Sequence, residues 1–309
     1  MHRHPALSVV IPTVRRPDGL IQAIDSVQGQ TSIDNEIIEI LIVDNDPEGS
    51  ASEIASRYDN APIKVRYVHE PNPGVANARN AAIANVSNRL VVFLDDDQSA
   101  PPTWLKGFID LYASHKPVIC FGPVETALPE GVTSHVDYLK SFFSRRGPDT
   151  AGIYDTYYGC GNSMMDLDQI KFDGELFEAS SNETGGEDDI LFSRLDDAGH
   201  KFGWAPDAWV FEHVPERRAN LQYALRRTFA YGQAPSTICA RRSPPDVPGI
   251  IFWSCIGLGQ AAIYGGVSAI MWILRRPDRA FWLDRAAQGL GKTFWFGPFE
   301  QKFYGSRAV

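Results

Sequence analysis

Residues 90–105 read LVVFLDDDQSAPPTWL. An apolar run of five, residues 90–94, ends abruptly in Asp95, Asp96 and Asp97. A short run of this kind, bounded by polar residues, predicts a buried strand. Carboxylates at the end of such a strand are costly unless a cation sits among them. Carboxylate oxygens together with substrate phosphates are the usual way Mg2+ or Mn2+ is held. An aspartate capping the next helix at a polar strand end would leave the same pattern, so the triplet alone leaves both readings open.

Working outward from this strand, the chain alternates. Residues 7–11, 36–43 and 63–68 are apolar, β-branched runs, and 118–124 is another. Segments 17–30, 50–58 and 74–86 carry helical spacing between them. Strands alternating with helices predict an α/β, Rossmann-like domain with a mostly parallel central sheet. In such a sheet ligands bind beyond the carboxyl ends of the strands. Those ends carry Pro12-Thr13, Asp44-Asn45-Asp46 and Asp95-Asp96-Asp97. A GxxxxGK[ST] loop and a strand-linked GxGxxG are both missing, which argues against a P-loop or dinucleotide-binding enzyme. The alternation fades over 126–158. It returns as a helix at 188–199, short strands at 202–206 and 209–212, and a basic helix at 219–231.

The 309 residues carry a formal charge of −9 that is unevenly spread. Residues 1–215 hold 16 Lys and Arg against 33 Asp and Glu, whereas 216–309 hold 13 against 5. A basic tail on an acidic body either meets an anionic surface or packs back on that body. The four cysteines form no CxxC pair, which argues against a structural zinc site or a disulfide framework and fits a reducing compartment. The apolar run at the N-terminus is too short for a signal-peptide core, so a cytoplasmic protein is expected.

Seven pieces of the sequence, in order, resemble glycosyltransferase family 2, the inverting GT-A enzymes. They are LSVVIPT (7–13), ILIVDND (40–46), PGVANARN (73–80), VVFLDDDQSAPPTWL (91–105), YGCGNSMMD (158–166), GGEDDILFSRLDDAG (185–199) and WVFEH (209–213). The resemblance covers about residues 7–235 and implies roles for matching residues. Pro12 and Thr13 would meet the nucleotide, and Asp44 would hydrogen-bond its base. Arg79 would face the diphosphate, for which its planar fork is suited. Asp95 and Asp97 match the DxD pair, with Asp97 on the metal, Asp95 nearer the ribose and Asp96 able to substitute for either. His213 would close the metal and diphosphate site. Gly161 and Asn162 would belong to an acceptor-side loop. Arg15 stands where many relatives have Asn.

Inverting transfer is a displacement at the anomeric carbon. It requires a base within reach of the acceptor hydroxyl. The family's ED motif falls on Glu187-Asp188, which makes Asp188 the expected base and Glu187 an acceptor contact. The implied reaction is sugar transfer from a nucleotide-diphosphate donor, a UDP-sugar first among them. The expected acceptor is a saccharide or lipid-linked saccharide, the cofactor Mg2+ or Mn2+, and the setting surface polysaccharide or glycolipid assembly. No nucleic-acid partner is expected. A nucleotidyltransferase on the same kind of sheet is the competing enzyme. It would want a Gly-rich basic first loop, of which Arg15, Arg16 and Gly19 offer a trace. A catalytically inactive scaffold is the competing non-enzyme.

Residues 247–274 contain no charged side chain across 28 positions. That suffices to span a bilayer, which takes ~20 residues. Four glycines, at 257, 259, 265 and 266, are expected to interrupt it, and arginines flank both ends. A single span would leave the basic end on the far side, against the positive-inside tendency. The expected organisation is a catalytic domain at 1–235 and a helical, membrane-associating tail at 236–309. That tail would enter as a re-entrant hairpin or lie in the membrane plane at the cytoplasmic face. A helix buried on the body or on a second copy is the alternative. The aromatic, amphipathic stretch 280–304 would add to the membrane contact.

Overall fold

A computed structural model describes residues 5–31, 33–182 and 185–299 of the chain. Residues 300–304 of the amphipathic stretch therefore lie outside the described residues. In chain order the first half contains β1 (Leu7–Thr13), α1 (Pro17–Gln28), β2 (Ile38–Asp44), α2 (Ser52–Ser56), β3 (Lys64–His69) and α3 (Val75–Asn85). It continues with β4 (Leu90–Phe93), β5 (Gln98–Ser99), α4 (Trp104–His115), β6 (Ile119–Phe121), β7 (Val124–Ala127) and α5 (Val136–Phe143). The second half contains β8 (Gly152–Tyr154), β9 (Ser163–Asp166), α6 (Glu187–Asp197), β10 (Phe202–Trp204), β11 (Val210–His213), α7 (Leu221–Arg241), α8 (Val247–Ile273) and α9 (Arg279–Thr293).

Eight strands form the main sheet in the order β3-β2-β1-β4-β9-β6-β10-β8. Strands β1 to β4 are parallel, and β6 and β10 are parallel to each other; β9 and β8 pair antiparallel with their neighbours. The central strands β1, β2 and β4 are mostly apolar because both sheet faces are covered there, whereas β3 at the edge is partly exposed. Val9, Ile11, Ile40, Ile42 and Val92 point into a core with Leu20, Ile24 and Val27 of α1 and Trp104 and Phe108 of α4. Val10, Leu41, Val43, Val91 and Phe93 point the other way, against Ala78 and Ala82 of α3 and Leu191, Phe192 and Leu195 of α6. This is the period of two expected of a strand, with neither side left to water.

Register fixes the edge that matters. Thr13 lies opposite Asp44, and Asp44 opposite His69, at the carboxyl ends of β1, β2 and β3. Beside them β4 ends at Phe93 and the chain turns through Asp95–Asp97 into β5. In a second, smaller sheet β5 pairs antiparallel with β11, Gln98 opposite Glu212 and Ser99 opposite Phe211.

The described residues divide into two compact units, 5–125 with 144–213, and 126–143 with 214–299. The expected boundary at 235 falls inside α7, which continues through Pro235 to Arg241. The stretch over 126–158, unreadable from sequence, supplies α5 to one unit and β8 to the other.

The glycines of the apolar stretch do not interrupt it: α8 is one helix of 27 residues. Its length and composition would suffice to cross a membrane, and only 6% of its most apolar window is buried. Gly257 serves close approach, since an added Cβ would come within 2.5 Å of the Gly289 carbonyl of α9. Gly259, Gly265 and Gly266 face open space. A re-entrant hairpin within 247–274 is thereby replaced by a continuous helix.

Candidate active site

Asp95, from the 95–97 carboxylates, and Asp188, from the 187–188 pair, reach the same turn, residues 159–161, from different elements. Asp95 leaves β4 directly against Gly161, where an added Cβ would overlap its carboxylate. Asp188 opens α6, and its Oδ2 accepts from the Cys160 backbone N–H at 2.9 Å. Gly159 lies beside the same oxygen. Two distant stretches of chain therefore converge through one short loop.

Gly185 and Gly186 set the entry to α6. Both have positive φ, 76° and 89°, a region that glycine takes without the penalty other residues carry. The three acids that follow, Glu187, Asp188 and Asp189, occupy the first turn, where free backbone N–H groups favour negative charge. Segment 177–182 ties α6 to α3. Asn182 Oδ1 accepts from the Ala76 and Asn77 N–H groups, capping α3 from more than 100 residues away. Asn80 exchanges two hydrogen bonds with the Phe177 backbone.

These ties bring Arg79 to Glu187. Its Nη1 donates to Glu187 Oε1, and the same atom lies 3.8 Å from Asp188 Oδ2. Both partners are buried. Burial raises the Glu187 pKa, opposed by the Arg79 charge and reinforced by Asp188 and Asp95. Glu187 is thus a partner for Arg79 inside the protein. Arg79 is correspondingly turned to Glu187, over the Phe177 ring at 5.6 Å. Among the described residues, Arg79 Nε and Glu187 Oε2 are buried without a hydrogen-bond partner.

Asp96 and Asp97 share Arg16. Its Nη1 lies 2.8 Å from Asp96 Oδ1 and 2.8 Å from Asp97 Oδ2. Thr13 Oγ1 donates to Asp96 Oδ2 at 2.8 Å. Burial, with repulsion from Asp97 and Asp95 and despite Arg16, pushes the Asp96 carboxyl up to about 6. Burial also raises Asp95, with Arg79 and Arg145 opposing and Asp97 and Asp188 reinforcing. Pro12, half-buried, precedes Thr13 on the same strand.

Strand β11 delivers His213, whose N–H donates to the Asp97 carbonyl at 2.8 Å. Its Nε2 lies 2.7 Å from Ser99 Oγ and 3.0 Å from Gln22 Nε2. Burial lowers its pKa, which favours the neutral ring that metals bind.

Two expected residues have their side chains engaged elsewhere. Asp44 is fully buried; its Oδ2 accepts from the Ala51 N–H and Tyr67 hydroxyl, and its Oδ1 from the Asp46 N–H. It shapes the turn after β2, and these bonds stand against direct contact with a base. Asn162, at φ 55°, accepts from Trp104 Nε1 and donates to the Pro123 and Ala208 carbonyls. With no exposed surface, its side chain stands behind the loop and cannot meet an acceptor.

Three further contributors stand outside the expected site; the sequence marks Arg16 and Gly19 only as a trace of a basic first loop, and Arg145 not at all. Arg16 clamps Asp96 and Asp97. Arg145 donates to the Gly161 and Asn162 carbonyls at 2.5 and 3.2 Å and is drawn electrostatically to Asp95. Gly19 lies so close to the Asp96 carbonyl that a Cβ would overlap it. The basic run RRPDG after the first strand was a signal for Arg16; nothing around SRR at 144–146 distinguished Arg145.

The chemistry of the donor set, though not its present spacing, suits a divalent cation. Asp95 and Asp97 offer hard oxygens, His213 offers a neutral imidazole on the strand tied to Asp97, and the Arg16 cation stands between two of the carboxylates. As arranged, no three His, Cys, Asp or Glu side chains among the described residues are gathered tightly enough to hold a metal ion.

A family model described as Glycosyl transferase family 2 matches residues 8–168, just over half of the chain. The succinoglycan biosynthesis protein ExoM of Rhizobium meliloti is 28% identical over 239 residues, covering 77% of this chain and 76% of that protein. The minor teichoic acid biosynthesis protein GgaB of Bacillus subtilis is 27% identical over 211 residues, 68% of this chain but only 23% of GgaB. Among solved structures, that of GalNAc-T7 with UDP, GalNAc and Mn2+ is similar with a TM-score of 0.56, covering 76% of this chain and 51% of that one. At 14% identity this likeness is one of fold.

Proposed function

The chain belongs to glycosyl transferase family 2, and from that premise we propose that it transfers a sugar, with inversion, from a nucleoside-diphosphate donor to a saccharide hydroxyl. The observation that carries this reading is the meeting of Asp95 and Asp188 at the 159–161 turn. It sets an acidic strand end for the donor beside a carboxylate suited to serve the acceptor. Asp188 is the base: it takes the hydroxyl proton as the new bond forms, held in place by the Cys160 and Asp189 N–H groups. Arg79, anchored by Glu187, and Arg16 supply positive charge near the leaving group. Thr13 steers Asp96.

Asp97, Asp95 and His213 would hold Mg2+ or Mn2+. The ion would supply charge neutralisation for the departing diphosphate. The UDP and Mn2+ bound to GalNAc-T7 favour a UDP-sugar and manganese as first trials. The names of ExoM and GgaB favour assembly of a surface polysaccharide. The acceptor is then a saccharide, carried on lipid if the chain works at the cytoplasmic face of a membrane, as its apolar helix suggests.

Product analysis tests the reading. Incubation with UDP-sugars, Mn2+ and lipid-extracted saccharide acceptors is expected to release nucleoside diphosphate. Release of pyrophosphate in a parallel incubation with UTP and a sugar 1-phosphate would indicate nucleotidyl transfer instead. Absence of either across a panel of donors and acceptors, with metal-dependent binding retained, would indicate an inactive scaffold.

A further inference from the structure

We infer that α8 lies in the plane of an anionic bilayer surface, held there by α9, and does not cross it; this rests on the membrane setting proposed above. Helix α8 is built inside out. Its uncharged polar side chains Gln260, Tyr264 and Ser268 recur every four residues, and the contacts place them on the α9 side. Gln260 Nε2 donates to the Arg285 carbonyl and to Gln288 Oε1. The Ser254 carbonyl accepts from Thr293 Oγ1, Tyr264 stacks on Trp282, and Ser268 Oγ donates to the Arg279 carbonyl. The outward face carries Ile251, Phe252, Leu258, Ile263, Ile270 and Ile273, each more than half exposed. A helix that turns polar groups toward protein and isoleucine outward is arranged for an apolar solvent.

The partner helix decides the orientation. Helix α9 runs back along α8, from Arg279 beside Ser268 to Thr293 beside Ser254. Gly257 and Gly289 let the two backbones approach closely, and Gly291 does the same for α9 against Phe229 of α7. Any depth reached by the middle of α8 is therefore shared by α9. Yet α9 carries Asp284 and Lys292, bound to Tyr138, Thr228 and Gln260, together with an exposed Arg285. Charges at mid-bilayer cost several kcal/mol each, so the pair cannot stand upright across a membrane. Laid flat, α8 sinks its isoleucine face while α9 and α7 remain on the aqueous side. Arginines at both ends, 241 and 242 before it and 275 and 276 after it, then sit at headgroup level, where they complement anionic lipid. The same charges would oppose burial of this face against a second copy, whose arginines would meet them.

Flotation of the full chain with phosphatidylcholine vesicles, with and without phosphatidylglycerol, tests this. The chain is expected to float with the anionic vesicles, less with neutral ones, and less again in high salt. Arg242→Cys and Arg276→Cys variants should react equally with an impermeant maleimide added outside the vesicles. Protection of position 276 alone would overturn the in-plane placement in favour of a span. An unbound chain that sediments as a dimer would overturn it in favour of a second copy, and an unbound monomer would overturn it outright. The triple variant Ile251→Ser, Ile263→Ser, Ile270→Ser alters only exposed side chains and should weaken vesicle binding about tenfold or more. None of these readouts needs catalysis. Transfer to a soluble acceptor by a chain that fails to float would refute this inference and leave the proposed reaction standing.

Discussion

Arg79 and Glu187, 108 residues apart in the chain, form an ion pair inside the protein, with 7% and 4% of their side-chain surfaces exposed. The pair joins the helix after β3 to the helix that presents Asp188. Two buried charges are costly to desolvate, and their attraction offsets that cost only while both are present. Its retention beside the Asp188 carboxylate makes sense if the pair fixes where the α6 N-terminus sits.

Loss of one member should therefore be far worse than loss of both. Glu187→Ala is expected to lower unfolding stability by about 3–5 kcal/mol by stranding the guanidinium. The double variant Arg79→Met, Glu187→Leu should recover most of that stability while remaining inactive. Urea unfolding of the single and double variants measures the difference. Equal losses in both would show that packing, and not an uncompensated charge, dominates.

Gly161→Ala tests the meeting point directly. The position has no unusual φ, so the effect is steric: the new methyl would occupy the space of the Asp95 carboxylate. Displacing a buried group this way costs about 1–3 kcal/mol. The KM for the donor should rise and the melting temperature should fall together. A variant with unchanged donor kinetics would separate Asp95 from the donor site.

The turn after β2 offers a pH prediction. The Arg15 guanidinium, first among several donors, holds the Asp46 carboxyl at about 2, below its ordinary 3.8. A depressed carboxyl contributes stability that is fully present above its unfolded value and is lost as pH falls through the folded one. Arg15→Gln keeps a long side chain at φ 51° but removes the charge. Its stability deficit against the parent chain should be constant above about pH 4 and vanish near pH 2. Acid titration followed by circular dichroism would show whether the two curves converge there.

How far the sequence could be read follows from where the determinants are local. Strands β1, β2 and β4 are legible because covering both sheet faces leaves runs that are apolar but for Ser8 and Glu39, and their polar ends then mark the site. Helix α6 is legible because Gly-Gly and three acids are a local signature of its start. Arg145 is illegible: it lies within a stretch without periodicity, and its partners are carbonyls of a loop reached only after folding. For Asp44 and Asn162 the local pattern is legible but the partners are not: Asp44 turns to the Asp46 and Ala51 N–H groups and the Tyr67 hydroxyl, and Asn162 to Trp104 Nε1 and the Pro123 and Ala208 carbonyls. In α8 the glycines suggest breaks because each costs a water-exposed helix about 1 kcal/mol. One of them instead lets α9 approach, a benefit invisible without the partner.

The two carboxylate stretches should fail in different ways. Asp188→Asn removes a base but leaves the donor's surroundings in place, so kcat should fall about 10²–10⁴-fold with nucleotide-sugar affinity retained. Asp97→Asn removes an expected metal contact while leaving Asp188 untouched, so at least about tenfold more Mn2+ should be needed for half-maximal rate. Initial rates across a Mn2+ series, with donor binding followed separately by calorimetry, distinguish the two. Rescue of Asp188→Asn by metal would reverse its role from base to ligand. An unchanged metal requirement in Asp97→Asn would move the cation elsewhere along the strand end.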